Sequence, residues 1–171
     1  MKKKRWIIII VLIALAALFC YSGRFRTYST QDAFRKDGGR MFVQIPDEAA
    51  QCRFLQRRLP LGKLYMYAFT LPDDAAAQFE SYLTEHYNLN QTDPVQSSAA
   101  YWFGKTAGEC AEAENELDAF PLHLPFSRVT ERDIAQAEVL VYYPKGCGSR
   151  SFAVLKFPDS QEYICFESLT R

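Results

Sequence analysis

The stretch RSFAVLKFPDSQEYICFES, residues 150–168, decides the fold. Residues 150–157 and 162–168 are rich in β-branched and aromatic side chains, and the short Pro158-Asp159-Ser160 loop between them reads as the turn of a β-hairpin. With residues 157 and 161 facing each other, Phe152 stands opposite Phe166 and Val154 opposite Ile164 on one apolar face. The reverse face, Ala153, Leu155, Tyr163 and Cys165, is almost as apolar. A sheet with two apolar faces has to be covered on both.

Working upstream, EVLVYYP (138–144) supplies a third strand, joined to the hairpin by the glycine-rich turn Lys145-Gly146-Cys147-Gly148. KLYMYAFTL (63–71) is the clearest strand, stopped by Pro72. The best helix follows it. Asp73 and Asp74 sit where the positive end of the helix dipole favours them, and Ala76, Phe79, Leu83 and Tyr87 form one apolar stripe. MFVQI (41–45) reads as a strand stopped by Pro46. Asp47 then caps a predicted helix with Cys52, Leu55 and Leu59 on one face, ended by Pro60-Leu61-Gly62. Residues 88–98 are loop material, and a strand is expected around Tyr101 to Phe103. An acidic excursion pinned by Cys110 comes next, and Thr130 with Asp133 predicts a capped helix of one or two turns over Glu131 to Ala137. The expected class is α+β: a mainly antiparallel sheet of five or six strands, packed by one main helix and one or two short ones.

The N-terminus is of another character. Lys2-Lys3-Lys4-Arg5 precedes sixteen apolar residues, WIIIIVLIALAALFCY, covering about 24 Å as a helix against a hydrocarbon core of about 30 Å. With Ser22 and Gly23 the stretch just spans, which predicts a transmembrane signal-anchor over residues 6–22. A cleavable signal is the rival, but its best site, using Cys20 and Ser22, puts Gly23-Arg24 straight after the cut. Lipid attachment at Cys20 is disfavoured by Phe19 before it. The basic run holds residues 1–5 in the cytoplasm and sends the rest across, so the expectation is a bacterial inner-membrane protein with a periplasmic domain over 41–171. Residues 23–40, basic and ending in Gly38-Gly39, read as a polar tether, with a short helix over 30–36.

Four cysteines, Cys52, Cys110, Cys147 and Cys165, would then lie in an oxidising compartment, where two disulfides are the natural expectation and three pairings are open. No CxxC pair occurs, and His86 and His123 are the only histidines, so no metal or other cofactor is expected. Beyond the apolar segment stand sixteen basic and twenty acidic residues, a net charge of −4 that gives no concentrated basic face for nucleic acid.

Catalytic signatures are scarce. GxSxG, HExxH and GxxxxGK[ST] are all missing from the sequence. His86, at the end of the main helix, reads as a polar cap and His123, between two prolines, as a loop histidine. Cys147 on its glycine-flanked turn could expose N–H groups to an oxyanion, but serves equally well as a disulfide partner. Glu109, Glu112, Glu114, Glu116 and Asp118 lack the calcium-loop pattern and suit either a solvated face or a surface for a basic partner. Tyr65, Tyr67, Tyr101, Trp102, Tyr142 and Tyr143 could stack on glycan, though adjacent residues of a strand point to opposite faces. The expectation is therefore a membrane-anchored module that binds another envelope or secreted protein without catalysis, for example an immunity or inhibitor protein. An envelope-maintenance or peptidoglycan-binding module is the first alternative, and a periplasmic enzyme using Cys147 or His123 the second.

Overall fold

Six strands form one antiparallel sheet in the order β1-β2-β3-β6-β5-β4. In the computed structural model these are β1 Phe25–Tyr28, β2 Ala50–Leu59, β3 Gly62–Thr70, β4 Glu138–Tyr143, β5 Arg150–Phe157 and β6 Glu162–Thr170. The helices are α1 Lys2–Ser22, α2 Gln31–Lys36 and α3 Asp73–Tyr87, with one 3-10 turn at Ile134–Gln136. The structure describes residues 2–22, 25–59, 62–87, 104–107, 109, 129–130, 132–143 and 150–170. The mixed α+β class stands, and β3 to β6 and α3 form where the sequence places them.

Both faces of the sheet are apolar and both are covered. On one, Leu55, Met66, Leu155, Ile164 and Phe166 pack under Ala107, Val129, Ile134 and Ala137 from the excursion between α3 and β4. On the other, Phe54, Tyr67, Phe69, Val154, Tyr163 and Cys165 pack under α2, α3 and the chain between α2 and β2, through Phe34, Val43, Ile45, Phe79 and Leu83. Phe34 alone, wholly buried, contributes about 2 kcal/mol of apolar burial. It stacks on Phe54 at a centroid distance of 5.3 Å.

Four expectations need correction. Residues 50–59 are strand β2, not a helix capped by Asp47: Phe54 and Leu55, adjacent in sequence, are buried on opposite faces, which only a strand between two covers allows. Residues 41–45 make no strand, because the Val43 peptide bonds to the Tyr67 phenol instead of a ladder. The stretch read as a tether supplies β1, which pairs with β2, while the short helix expected within it stands as α2, capped by Thr30, which accepts from Ala33 N–H. Finally, the β5–β6 hairpin is one residue out of the expected register. Phe157 pairs with Glu162, Phe152 with Glu167 and Val154 with Cys165. Its turn takes in four residues, Pro158 to Gln161, with Gln161 at φ 47°. A one-residue slip moves a strand's side chains to the opposite face. The helix predicted from Glu131 is a single 3-10 turn capped by Asp133, and the strand expected near Tyr101 lies outside the described residues.

The described side chains of α1 run from Trp6 to Ala17, twelve residues or about 18 Å of helix. Among the described residues no helix is long and apolar enough to cross a membrane, so the expected span finds no support there.

Candidate functional site

β2 begins at Ala50 and β3 ends at Thr70, and the two are paired. Residues 44–48, just before β2, and the first turns of α3, just after β3, therefore meet at one end of the sheet. Between them lies a recess of about 280 Å³, lined by buried Ile45 and Phe79 and half-buried Tyr82, with Gln44, Asp47 and Glu48 exposed beside them. The two segments that build it, 41–49 and 73–87, carry six carboxylates, Asp47, Glu48, Asp73, Asp74, Glu80 and Glu85, and neither Lys nor Arg. Glu80 is turned inward, where it accepts hydrogen bonds from Lys156 Nζ and the Tyr163 phenol, both at 2.6 Å. The other five are exposed. A low-dielectric groove surrounded by one sign of charge concentrates ligands of the opposite sign.

The residues singled out from sequence separate on the structure. Glu109 closes a capping box with Thr106: its carboxylate accepts from Thr106 N–H at 2.7 Å and from Thr106 Oγ1 at 2.8 Å. Those bonds, chiefly the backbone one, hold its carboxyl below the usual range. Glu112, Glu114, Glu116 and Asp118 lie outside the described residues, as do Cys110, Cys147, His123, Tyr101 and Trp102. His86 packs against Tyr82 with ring centroids 4.3 Å apart and the ring planes tilted by 34°. Tyr65, Tyr67 and Tyr142 are buried, so three of the rings offered for glycan stacking present no face to solvent.

Cys52 and Cys165, expected in disulfides, are free thiols. Cys165 is wholly buried beside Tyr67, and burial pushes its thiol well above the ordinary range; half-buried Cys52 is raised by the same cause. Thiols so placed are poor nucleophiles, since the thiolate is the reactive form. Among the described residues no group of three or more His, Cys, Asp and Glu could hold a metal ion.

The opposite end of the sheet is cationic. Asp37 Oδ2 accepts from Arg26 at 2.7 Å and from the Tyr28 phenol, and Asp37 Oδ1 stands 4.0 Å from Arg58. Burial first, and the Asp37 carboxylate second, push the Tyr28 phenol up to about 12. Arg150 is paired with the buried carboxylate of Glu167. Sequence reading missed both ends because their residues come from distant segments. The available signal was charge bias: residues 50–63 hold Arg53, Arg57, Arg58 and Lys63 without a carboxylate, the inverse of 73–87. Compared with known proteins, the chain matches no family model, no curated protein and no solved structure.

Proposed function

We propose that the chain is a membrane-anchored binding module, held in the bacterial inner membrane by residues 6–22 with its domain in the periplasm, and that it acts on a basic protein partner without catalysing a reaction. One observation carries the binding half: a groove with an apolar floor, edged by the exposed carboxylates of Asp47 and Glu48 and built from segments that hold no Lys or Arg. Complementary charge of that kind sets encounter rate and partner choice. An immunity or inhibitor protein, whose task is to cover a basic cleft, is the concrete form of this reading.

The anchoring half is supported by the basic run Lys2–Arg5 that opens α1 and by the surface of the apolar residues that follow it. Trp6, Ile7, Ile8, Ile9, Ile10, Val11, Leu12, Ile13 and Leu15 are exposed by 46–66%, so the helix is apolar all round and offers that surface to whatever surrounds it.

The test is affinity purification of the full chain from the envelope fraction, then binding of the purified partner at two salt concentrations. Charge reversal at Asp47 and Glu48 should slow association at least about tenfold at low salt, as expected where steering is electrostatic. Reversal at Glu112, Glu114 and Glu116 reports on the excursion in the same assay. Binding that ignores salt and both sets of reversals would overturn the acidic-surface reading.

A further inference from the structure

We propose that the sheet end beside α1 rests on the anionic phospholipid headgroups of the bilayer, with Arg58, Lys63, Arg150 and Arg40 as its phosphate-facing cations. The inference rests on the anchoring reading above and adds a second, electrostatic contact to it.

Register places three of these cations in one row. Arg58 of β2 pairs with Lys63 of β3, Lys63 with Leu169 of β6, and Leu169 with Arg150 of β5. Side chains in such a row share a face of the sheet, about 5 Å apart from strand to strand. Arg58 and Lys63 are thus like charges directly opposite each other, an arrangement that destabilises a sheet unless an anion intervenes. The protein's own anions are already engaged. Asp37 is bonded to Arg26 and Tyr28 and stands 4.0 Å from Arg58, while Glu167 is taken by Arg150. Lys63 has no carboxylate partner among the described residues. The six cations of this end, Arg26, Arg40, Arg57, Arg58, Lys63 and Arg150, face two carboxylates, Asp37 and Glu167.

A recess of about 250 Å³ opens beside the row, lined by Arg40, Arg150 and Glu167 with Met41, Phe42 and Leu169. It offers guanidinium groups to a phosphate and apolar carbon to the glycerol edge next to it. Its place along the chain fits a bilayer. Phe25 pairs with Arg57, the neighbour of Arg58, and lies three residues beyond Ser22, the last residue of α1; three residues reach at most about 11 Å. The acidic groove lies at the other end of the sheet, where an anionic membrane does not repel it and a soluble partner can reach it.

The experiment uses the full chain reconstituted into phosphatidylcholine nanodiscs with and without phosphatidylglycerol, and follows acylation of the Lys63 amine by mass spectrometry. Lys63 should label about fivefold more slowly in the phosphatidylglycerol discs, the effect of roughly one lysine held at an anionic surface. High salt should restore the rate. Arg40→Glu should also restore part of it, and the wild-type salt response stands as evidence whether or not that variant folds. Equal labelling in both discs overturns the proposal and leaves the anchor standing. Slowing by inorganic phosphate in phosphatidylcholine discs to the same extent overturns it too, since the recess would then be a phosphate site and not a lipid contact. Release of the chain from membranes by alkaline carbonate removes the anchor and the proposal together.

Discussion

The Tyr67 phenol closes both hydrogen bonds of the Val43 peptide unit: it accepts from Val43 N–H at 3.1 Å and donates to Val43 O at 3.0 Å, with both residues wholly buried. A side chain thus does for residues 41–45 what a neighbouring strand would otherwise do, and it clamps the lining of the acidic groove onto β3. Tyr67→Phe keeps the ring and leaves two buried backbone groups without partners. It is expected to cost about 2–4 kcal/mol, read as a fall in the urea midpoint. A loss under about 0.5 kcal/mol would mean that water or a backbone shift satisfies Val43 instead.

Glu80 ties α3 to β5 and β6 by accepting from Lys156 and Tyr163 with one oxygen. Lys156 is the more enclosed partner, its side chain 15% exposed against 36% for Glu80. Removing the carboxylate therefore strands a cation more than it exposes an anion. Glu80→Ala is expected to cost about 2 kcal/mol, and Glu80→Gln, which keeps an acceptor for the phenol, about 1 kcal/mol. Equal losses in the two variants would show that the acceptor kept for Tyr163 contributes nothing and that the charge beside Lys156 carries the effect.

The Asp37 cluster makes stability depend on pH in both directions. The Tyr28 phenol first and Arg26 second hold the Asp37 carboxyl below the usual carboxylate range. An acid with a lowered folded pKa stabilises above its unfolded value of about 3.9 and loses that contribution as pH falls through the lower folded value. The Tyr28 phenol is raised from 10.0 to about 12, so its contribution is full below pH 10 and is lost as pH rises through about 12. Asp37→Asn should therefore lower the urea midpoint at pH 7 and flatten the wild-type decline on the acid side. A variant whose midpoint tracks the wild type in parallel down to acid pH would remove Asp37 from that dependence.

Much of the sheet was legible in the sequence, and the exceptions share a cause. β3 to β6 are dense in aromatic and β-branched residues and are bounded by Pro, Gly, Asp or Ser, so local chemistry and the fold agree. In β2 the run Arg53 to Arg58 mixes Phe54 and Leu55 with Gln56 and arginines, and the spacing of Cys52, Leu55 and Leu59 imitates a helical stripe. What decides for strand is pairing with β1 and β3, which is not local. The tether was misread for a similar reason, because the large apolar side chains of residues 25–34 are only Phe25, Tyr28 and Phe34 and only packing shows their role. Thr106 and Glu109 spell a capping box that was open to view and that explains the first of the acidic residues singled out. The groove and the cationic row were hidden because each is assembled from strand ends or loops far apart in sequence.

The two described thiols should differ sharply in reactivity. Cys165 is wholly buried against Tyr67, and Cys52 is partly open. In reduced, native protein, iodoacetamide should label Cys52 at a measurable rate and leave Cys165 untouched until denaturant is added, the protection factor being at least about a hundredfold. Peptide mapping of the labelled protein separates the two sites. Prompt native labelling of Cys165 would show that the face of the sheet under α3 opens far more readily than its packing implies.

Gly38 and Gly39, read in the sequence only as flexible, answer to two different constraints. Gly38 has φ +80°, in the left-handed region, and its missing Cβ would point into open space; Gly39 would place a Cβ 2.6 Å from the Phe34 ring and the Phe34 carbonyl oxygen. Gly39 is drawn that close because its N–H donates to the Phe34 carbonyl at 2.9 Å, behind the C-terminus of α2. Gly38→Ala should therefore cost about 1 kcal/mol through backbone strain alone, and Gly38→Asn less, since Asn tolerates that conformation. Gly39→Ala should cost about 2–3 kcal/mol, because Phe34 and its backbone have to move within a packed core. Thermal melts of the three variants decide the matter. If Gly39→Ala is as mild as Gly38→Asn, then Phe34 is not held as tightly as its stacking on Phe54 implies, and residues 25–40 belong to the domain more loosely than β1 and α2 suggest.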